Sequence, residues 1–329
     1  MSELSKNTIS FDFLALGEAV VDFISKEVVA HLVDASSFER FTGGQVTNLA
    51  MNMARLGNRV ALGACLGDDG FGELLQQRIA AANICTDYLQ ITREAPTTLI
   101  PVTRTPRGTP EFVICRGADA RLQAEDQLLE AAAHTKILHT SAFALSREPA
   151  RSTILQAMQI ARQHGKRVSL DPNYHPRIWP DTPQFLDLLK KAFQYVSVTK
   201  PSLDDCVRLL GSGLRPQQYA ARFLEWGAEL VVISMGSEGV YLASQEGNSY
   251  QIIPQEIIPV DVTGAGDAFW SGLLTALLDE LPVLDAVRVG QIVAQIKVCT
   301  LGPLSESLDR QSIYAQAQAV QYRQVSSKS

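Results

Sequence analysis

Asp261-Val262-Thr263-Gly264-Ala265-Gly266-Asp267-Ala268-Phe269 is the stretch on which the reading of this chain turns. Two glycines flank one alanine, and a carboxylate follows at once. Ala268, Phe269, Gly272, Leu273, Ala276 and Leu277 then recur at helical spacing, so the small residues sit at a loop-to-helix junction. Backbone N–H groups at such a junction can point at an anion, and the helix dipole reinforces them. A phosphate there repels Asp267 unless the carboxylate has chemical work, and taking a proton from an attacking hydroxyl is such work. The plainer alternative is a helix start in which the glycines permit a turn and Asp267 complements the dipole.

Outward from this junction the chain alternates strands and helices. Phe13 to Gly17 reads as a buried strand, 46–56 as a helix, 60–64 as a strand and 71–82 as a helix. After residue 120 strands near 137–139, 168–170, 195–198 and 230–234 alternate with helices over 149–164, 182–193, 202–210 and 216–226. This alternation predicts an α/β fold with a mostly parallel sheet covered on both faces. Residues 96–116 carry Thr, Val, Ile and Phe around Pro106-Arg107-Gly108-Thr109-Pro110 and read as a β-hairpin. Residues 239–258 read as antiparallel strands, and the polar tail after Gln318 is expected to fray. Ligands of such sheets bind beyond the carboxyl ends of the strands. Asp171, Lys200, Gly236 and Asp261 each follow a strand, so they can converge on one rim.

Composition narrows the partners. Of 329 residues 46% are hydrophobic and 19% charged, enough for a large core, and the net charge of −6 argues against nucleic acid. The basic runs Lys190-Lys191 and Arg104 to Arg107 are short. Five scattered cysteines (65, 85, 115, 206, 299) without a Cys-x-x-Cys pair point to reduced thiols and a cytoplasmic setting. Met1 to Ser10 lacks the apolar region of a signal peptide, and no apolar run nears the length that spans a membrane.

Other segments carry polar groups to the same rim. Asp22, just past the first strand in Gly17-Glu18-Ala19-Val20-Val21-Asp22-Phe23, can accept hydrogen bonds from paired hydroxyls. Gly43 and Gly44 permit close backbone approach, and Asn48 can donate and accept toward a polyol. Arg116, where the hairpin returns, can clamp a ketose or a carboxylate, or can be a surface arginine. Zinc clusters, P-loops, serine elbows and a first-strand Gly-x-Gly-x-x-Gly are absent from the sequence.

With these motifs in hand, the chain resembles the PfkB, ribokinase-like carbohydrate kinases over about residues 13 to 303. The 261–269 stretch is similar to the second family signature, and Gly43-Gly44, three residues, then Asn48 and an Ala-rich helix ending Arg55-Leu56-Gly57 are similar to the first. The resemblance implies a three-layer α/β/α sandwich of one domain, 1–329, with a small β-sheet lid from about 25–42 and 96–118. It implies that Gly264, Ala265 and Gly266 form an anion hole and that Asp267 is the catalytic base. Asp22, Gly43, Gly44, Asn48, Arg116, Asp171 and Asn173 would face substrate. Lys200, Ser234, Gly236, Gly239 and Thr263 would face nucleotide. Asp205 would organise Mg²⁺ through water. ATP and Mg²⁺ are the expected cofactors, and K⁺ is one that some relatives need.

Three departures stand out. His175 occupies the usual Arg position of Asp171-Pro172-Asn173-Tyr174-His175-Pro176-Arg177; Arg177 substitutes for it, or His175 is an ordinary loop histidine. Ser202 and Asp205 replace an Asn and a Glu. In residues 289–302 the usual alanines are partly replaced by Gln, Ile and Lys. The expected activity is phosphoryl transfer from ATP to a primary hydroxyl of a ketohexose such as fructose. A 2-keto-3-deoxygluconate kinase is the near alternative, and a sugar- or nucleotide-binding regulator with weak turnover the distant one. The exposed lid strands invite a homodimer.

Overall fold

The computed structural model describes residues 10–105, 110–255, 257–300, 302, 304 and 308–325. The 106–109 tip of the expected hairpin, Leu301 and the ends of the chain lie outside the described residues.

The first half runs β1 (Phe13–Leu16), β2 (Val20–Val28), β3 (Phe38–Gly43), α1 (Gln45–Arg55), β4 (Val60–Gly67), α2 (Gly70–Ala81), β5 (Leu89–Thr92), β6 (Leu99–Arg104), α3 (Asp126–His134) and β7 (Ile137–Ser141). It continues through α4 (Ala150–Gln163), β8 (Arg167–Asp171), α5 (Thr182–Phe193), β9 (Val198–Thr199), α6 (Leu203–Leu210) and α7 (Pro216–Glu225). The last part is β10 (Leu230–Ser234), β11 (Val240–Ser244), β12 (Ser249–Ile252), α8 (Ala265–Leu278), α9 (Val283–Val298), α10 (Arg310–Ala317) and β13 (Tyr322–Gln324).

Among the described residues the main sheet has the order β13-β12-β11-β10-β9-β8-β7-β1-β4-β5. From β10 to β5 all neighbours are parallel, and β11, β12 and β13 add an antiparallel edge. Side-chain alternation in β1 shows how the layers form. Phe13 and Ala15 join one core with α1, α2, α8, α9 and α10, whereas Leu14 and Leu16 join the other with α3 to α7. The result is the three-layer α/β/α sandwich. Chain order reverses at β1, which has β4 on one side and β7 on the other, and this opens a crevice at the carboxyl ends of the strands.

The small sheet is β3-β2-β6, with β2 and β3 antiparallel and β2 and β6 parallel. Single bridges Leu99↔Cys115 and Val102↔Phe112 continue it through the returning chain, as the hairpin reading expects. Two sequence readings need correction. The first lid segment begins earlier than residue 25, because β2 already pairs with β3 from Val20. The tail does not fray after Gln318: Tyr322–Gln324 pairs antiparallel with β12, and Val325 N–H donates to Ser249 O (3.0 Å).

Candidate active site

The loop before α8 is built from Asp261. Its carboxylate accepts from Thr263 N–H (2.9 Å), Gly302 N–H (3.1 Å) and Lys297 Nζ (3.2 Å). Burial works against its charge, but these hydrogen bonds prevail and hold Asp261 below the ordinary carboxylate value. Gly264 then takes φ 76°, the left-handed conformation that a side chain would strain. No side chain caps α8. Ala265 N–H is engaged with Val262 O (3.2 Å). The positive end of the helix therefore opens on a cavity of about 250 Å³, which Gly264, Gly266 and Asp267 line.

The same cavity gathers Gln45, Asp171, Asn173, Lys200, Ser202, Asp205 and Ser234. Five elements contribute, each from the end of a strand or the start of a helix. Lys200 is buried and pairs with Asp171 at 3.2 Å. Desolvation alone pulls its pKa down, but Asp171, Asp267 and Asp205 outweigh this and raise it, so Lys200 stays charged. Asp267 is half-buried and lines the cavity beside Gly266. Its carboxyl is raised to about 7, by desolvation first and by Asp171 and Glu18; Lys200 and a hydrogen bond from Gln45 oppose the rise. A carboxylate poised near neutrality beside a fixed ammonium is suited to accepting a proton.

Gln45 has a defined orientation. Its Nε2 reaches Asp171 Oδ2 (3.4 Å), and its Oε1 lies 3.0 Å from His139 Nε2. The two carboxylates require the amide N–H side, so His139 must donate from Nε2. Its Nδ1 then accepts from the Ser169 hydroxyl (2.9 Å). Burial, with Lys200 nearby, lowers His139 to about 3, so the ring is neutral under working conditions.

On the lid side, the Asp22 carboxyl of β2 has no hydrogen-bond partner among the described residues, and desolvation lifts it to about 7. Gly43 of β3 lies close to it, and a Cβ there would fall 2.2 Å from Asp22 Oδ2, so glycine leaves the carboxylate its room. The Asn48 side chain, one turn into α1, is half-buried and also without a hydrogen-bond partner among the described residues. Glu18 is fully buried. It accepts from Val46 N–H (3.2 Å) and Ser141 Oγ (2.8 Å), and desolvation raises it to about 7. Glu18 thereby ties the start of α1 to the end of β7.

The other candidates are placed differently. Arg116 is spent locally: it pairs with buried Asp119 (2.7 Å), donates to Ser146 Oγ (2.7 Å) and lies 4.0 Å over the Phe143 ring. His175 packs on Phe112 of the lid return (4.7 Å), and the Arg177 guanidinium lies 5.3 Å from the same ring and donates to Phe112 O. Both face the lid. Asp205 and Ser202 form a capping box at the start of α6, and Asp205 Oδ1 accepts from Tyr174 N–H (3.0 Å). Gly236 and Gly239 make the turn between β10 and β11, beyond the cavity lining, as is Thr263. A groove of about 420 Å³ lined by Leu155, Gln159, Lys191 and Tyr195 lies elsewhere and has no carboxylate.

Sequence reasoning missed Gln45, His139 and the role of Glu18. Gln45 and Glu18 lay inside quoted motifs, but an amide has no titration signal and a buried glutamate looks like its exposed counterpart. His139 gains meaning only when β7 stands beside α1.

Comparison with known proteins agrees with this geometry. The pfkB family carbohydrate kinase pattern matches residues 11–310. The fructokinase of Salmonella typhimurium is 32% identical over 264 residues, covering 80% of this chain and 83% of that protein. The ATP-dependent 6-phosphofructokinase of Thermoanaerobacterium thermosaccharolyticum is 29% identical over 304 residues, 92% of each chain. The structure of Halothermothrix orenii fructokinase superposes with a TM-score of 0.75 at 35% identity, covering 89% of this chain and 100% of that one. Small sheet, glycine loop and carboxylate-lined crevice thus belong together: the chain is a member of the pfkB family of carbohydrate kinases.

Proposed function

We propose that this kinase transfers the γ-phosphoryl group of MgATP to a primary hydroxyl of a neutral ketohexose of the fructose class. The observation that carries the reading is the cavity in which Asp267, Lys200 and the uncapped start of α8 meet. Asp267 takes the hydroxyl proton, and the 264–266 segment with Lys200 receives the charge of the transferring group. Asp22 and Asn48, unpartnered and facing the lid side, hold sugar hydroxyls, with Gly43 and Gly44 giving the approach. Ser234, Gly236, Gly239 and Thr263 border the nucleotide.

Mg²⁺ fits the donor set. Asp171, Asn173 and Asp205 are hard oxygen donors around one cavity. Among the described residues no cluster of three metal-ligating side chains exists. That suits an ion held mainly by water and by the phosphates of the nucleotide. When bound, Mg²⁺ neutralises phosphate charge. Asp205 already accepts from Ser202 and Tyr174, so its share is through water.

The engagement of Arg116 with Asp119 leaves it unavailable as a clamp for a sugar acid, which favours the neutral sugar. His175 and Arg177 act as lid contacts in this reading. The chain works as one kinase domain with its lid over 20–43 and 99–115. The lid pairs with a second copy, a reading supported by exposed Val28 and Val33, and light scattering of the purified protein tests it. Five free thiols and the absence, among the described residues, of a helix able to cross a membrane support a cytoplasmic setting. The test is kcat/KM at saturating MgATP for fructose, fructose 6-phosphate and 2-keto-3-deoxygluconate side by side. Fructose is expected to lead. A tenfold or greater lead for either anionic substrate overturns the assignment.

A further inference from the structure

Lys297 stands in the last turn of α9, where basic residues commonly complement the dipole from an exposed position. This lysine is different, because its side chain is only 5% exposed. Its ammonium lies 3.2 Å from Asp261 O, 3.2 Å from Asp261 Oδ2 and 3.4 Å from Thr300 O. Its Cε lies 3.8 Å from where a Cβ on Gly264 would stand. One carboxylate and two carbonyls therefore converge directly behind the anion loop, and a tethered ammonium fills their centre.

Carbonyl and carboxylate oxygens at this range form the donor set that strips and holds a monovalent cation. The family resemblance raises the expectation of K⁺. Where such oxygens converge behind the 261–266 loop, however, a free K⁺ does not fit, because Lys297 already occupies them. We infer that Lys297 is a built-in monovalent cation: it neutralises Asp261, holds the loop in shape and places fixed positive charge behind the phosphoryl site, so that turnover needs no K⁺. A covalently attached cation has no binding equilibrium to satisfy and no dependence on the salt in solution. Lys297 is a positioning residue, since it acts through Asp261 and the loop amides.

The inference rests on the kinase reading above, and its test separates the two. Sugar-dependent ADP formation is measured in KCl and in tetramethylammonium chloride at equal ionic strength. The wild-type rates are expected to agree within about twofold, the residue of general salt effects. Lys297→Met, of similar length, is expected to lose about tenfold or more in tetramethylammonium chloride, since loop placement near the reacting group is exacting. It is expected to recover severalfold when K⁺ or NH₄⁺ enters the vacated oxygens. In parallel, KCl should raise the Tm of Lys297→Met and leave that of the wild type unchanged, because only the variant has an open site. Wild-type activation of tenfold or more by K⁺, or a Lys297→Met enzyme fully active without it, overturns the inference. If the methionine variant does not fold, Lys297→Gln takes its place and the wild-type comparison stands alone. If the wild type phosphorylates no sugar in any salt, the kinase reading fails, and the Tm comparison by itself decides the cation site.

Discussion

Asp22 bears an uncompensated cost that binding can relieve. Its carboxyl has no partner among the described residues, and desolvation lifts it from 3.8 to about 7. The folded state therefore holds this proton more tightly than the unfolded state, and wild-type stability declines as pH rises across that window. Asp22→Asn does not titrate. Its stability advantage should be absent below about pH 4, grow toward pH 7 and reach on the order of 1 kcal/mol or more above it. Sugar affinity should fall in the same variant while ATP affinity holds. Denaturant melts at pH 4 and pH 8, with separate titrations of sugar and nucleotide, check both halves; equal losses for the two ligands contradict the role. Gln45 supports a second test. Its hydrogen bond lowers the pKa of Asp267, so Gln45→Leu should move the acidic limb of the kcat–pH profile to higher pH. Lys200, Asp171 and Glu18 also act on this group, Asp205 acts on Lys200, and all four remain in the variant. An unmoved limb would remove Gln45 from the network. The charged members of the site were legible because glycines, carboxylates and strand ends announce themselves. Gln45 and His139 were not, since their 94-residue separation closes only in the fold.

At the scale of elements, β10 and α5 fall where periodicity puts them, and most others within a few residues. The signature helix begins at Ala265 rather than Ala268, because Gly264 in its left-handed conformation is the true start. Helix α8 is apolar nearly all round, and it is buried from Ala268 to Leu277. It packs closely on α9: a Cβ on Gly272 would lie 2.7 Å from Val293, and one on Gly290 would lie 2.7 Å from Phe269 O. Two strands that escaped the reading share a reason. Strand β5 has four residues with one on-sheet neighbour, and β13 is exposed along its length. Such edges need no apolar alternation, so they leave no period to detect. The edge still carries structure. Deleting residues 321–329 removes the β12–β13 ladder and the Val325–Ser249 hydrogen bond. The truncated protein should melt lower, by roughly 2–4 °C for each kcal/mol lost, and should aggregate more readily through the bared edge of β12. An unchanged Tm would show that β13 adds nothing to the sandwich.

Across the whole molecule, the parallel sheet acts as a frame that delivers distant residues to one rim. Gln45 arrives on α1, Asp171 and Lys200 from neighbouring strand ends, and Asp267 on α8, while Asp22 stands on the small sheet, outside this lining. The order of strands could not be read from periodicity, but the rule that ligands bind at the carboxyl ends was enough to group most of these residues. The lid return touches the frame through Phe112, held between His175 and Arg177, and this couples the cover of the site to the loop that carries Asp171 and Asn173. Closure over the crevice is how such a kinase keeps water from the transferring phosphoryl group. The central claim concerns what happens beneath that cover, namely that Asp267 accepts the proton of the attacking hydroxyl. The most direct measurement is single-turnover and steady-state phosphorylation of fructose by Asp267→Asn, with ATP and fructose affinities determined on the same preparation. The account predicts affinities near wild type and turnover reduced by roughly 10² to 10⁴. A variant that binds both ligands and keeps half of the wild-type kcat would contradict it.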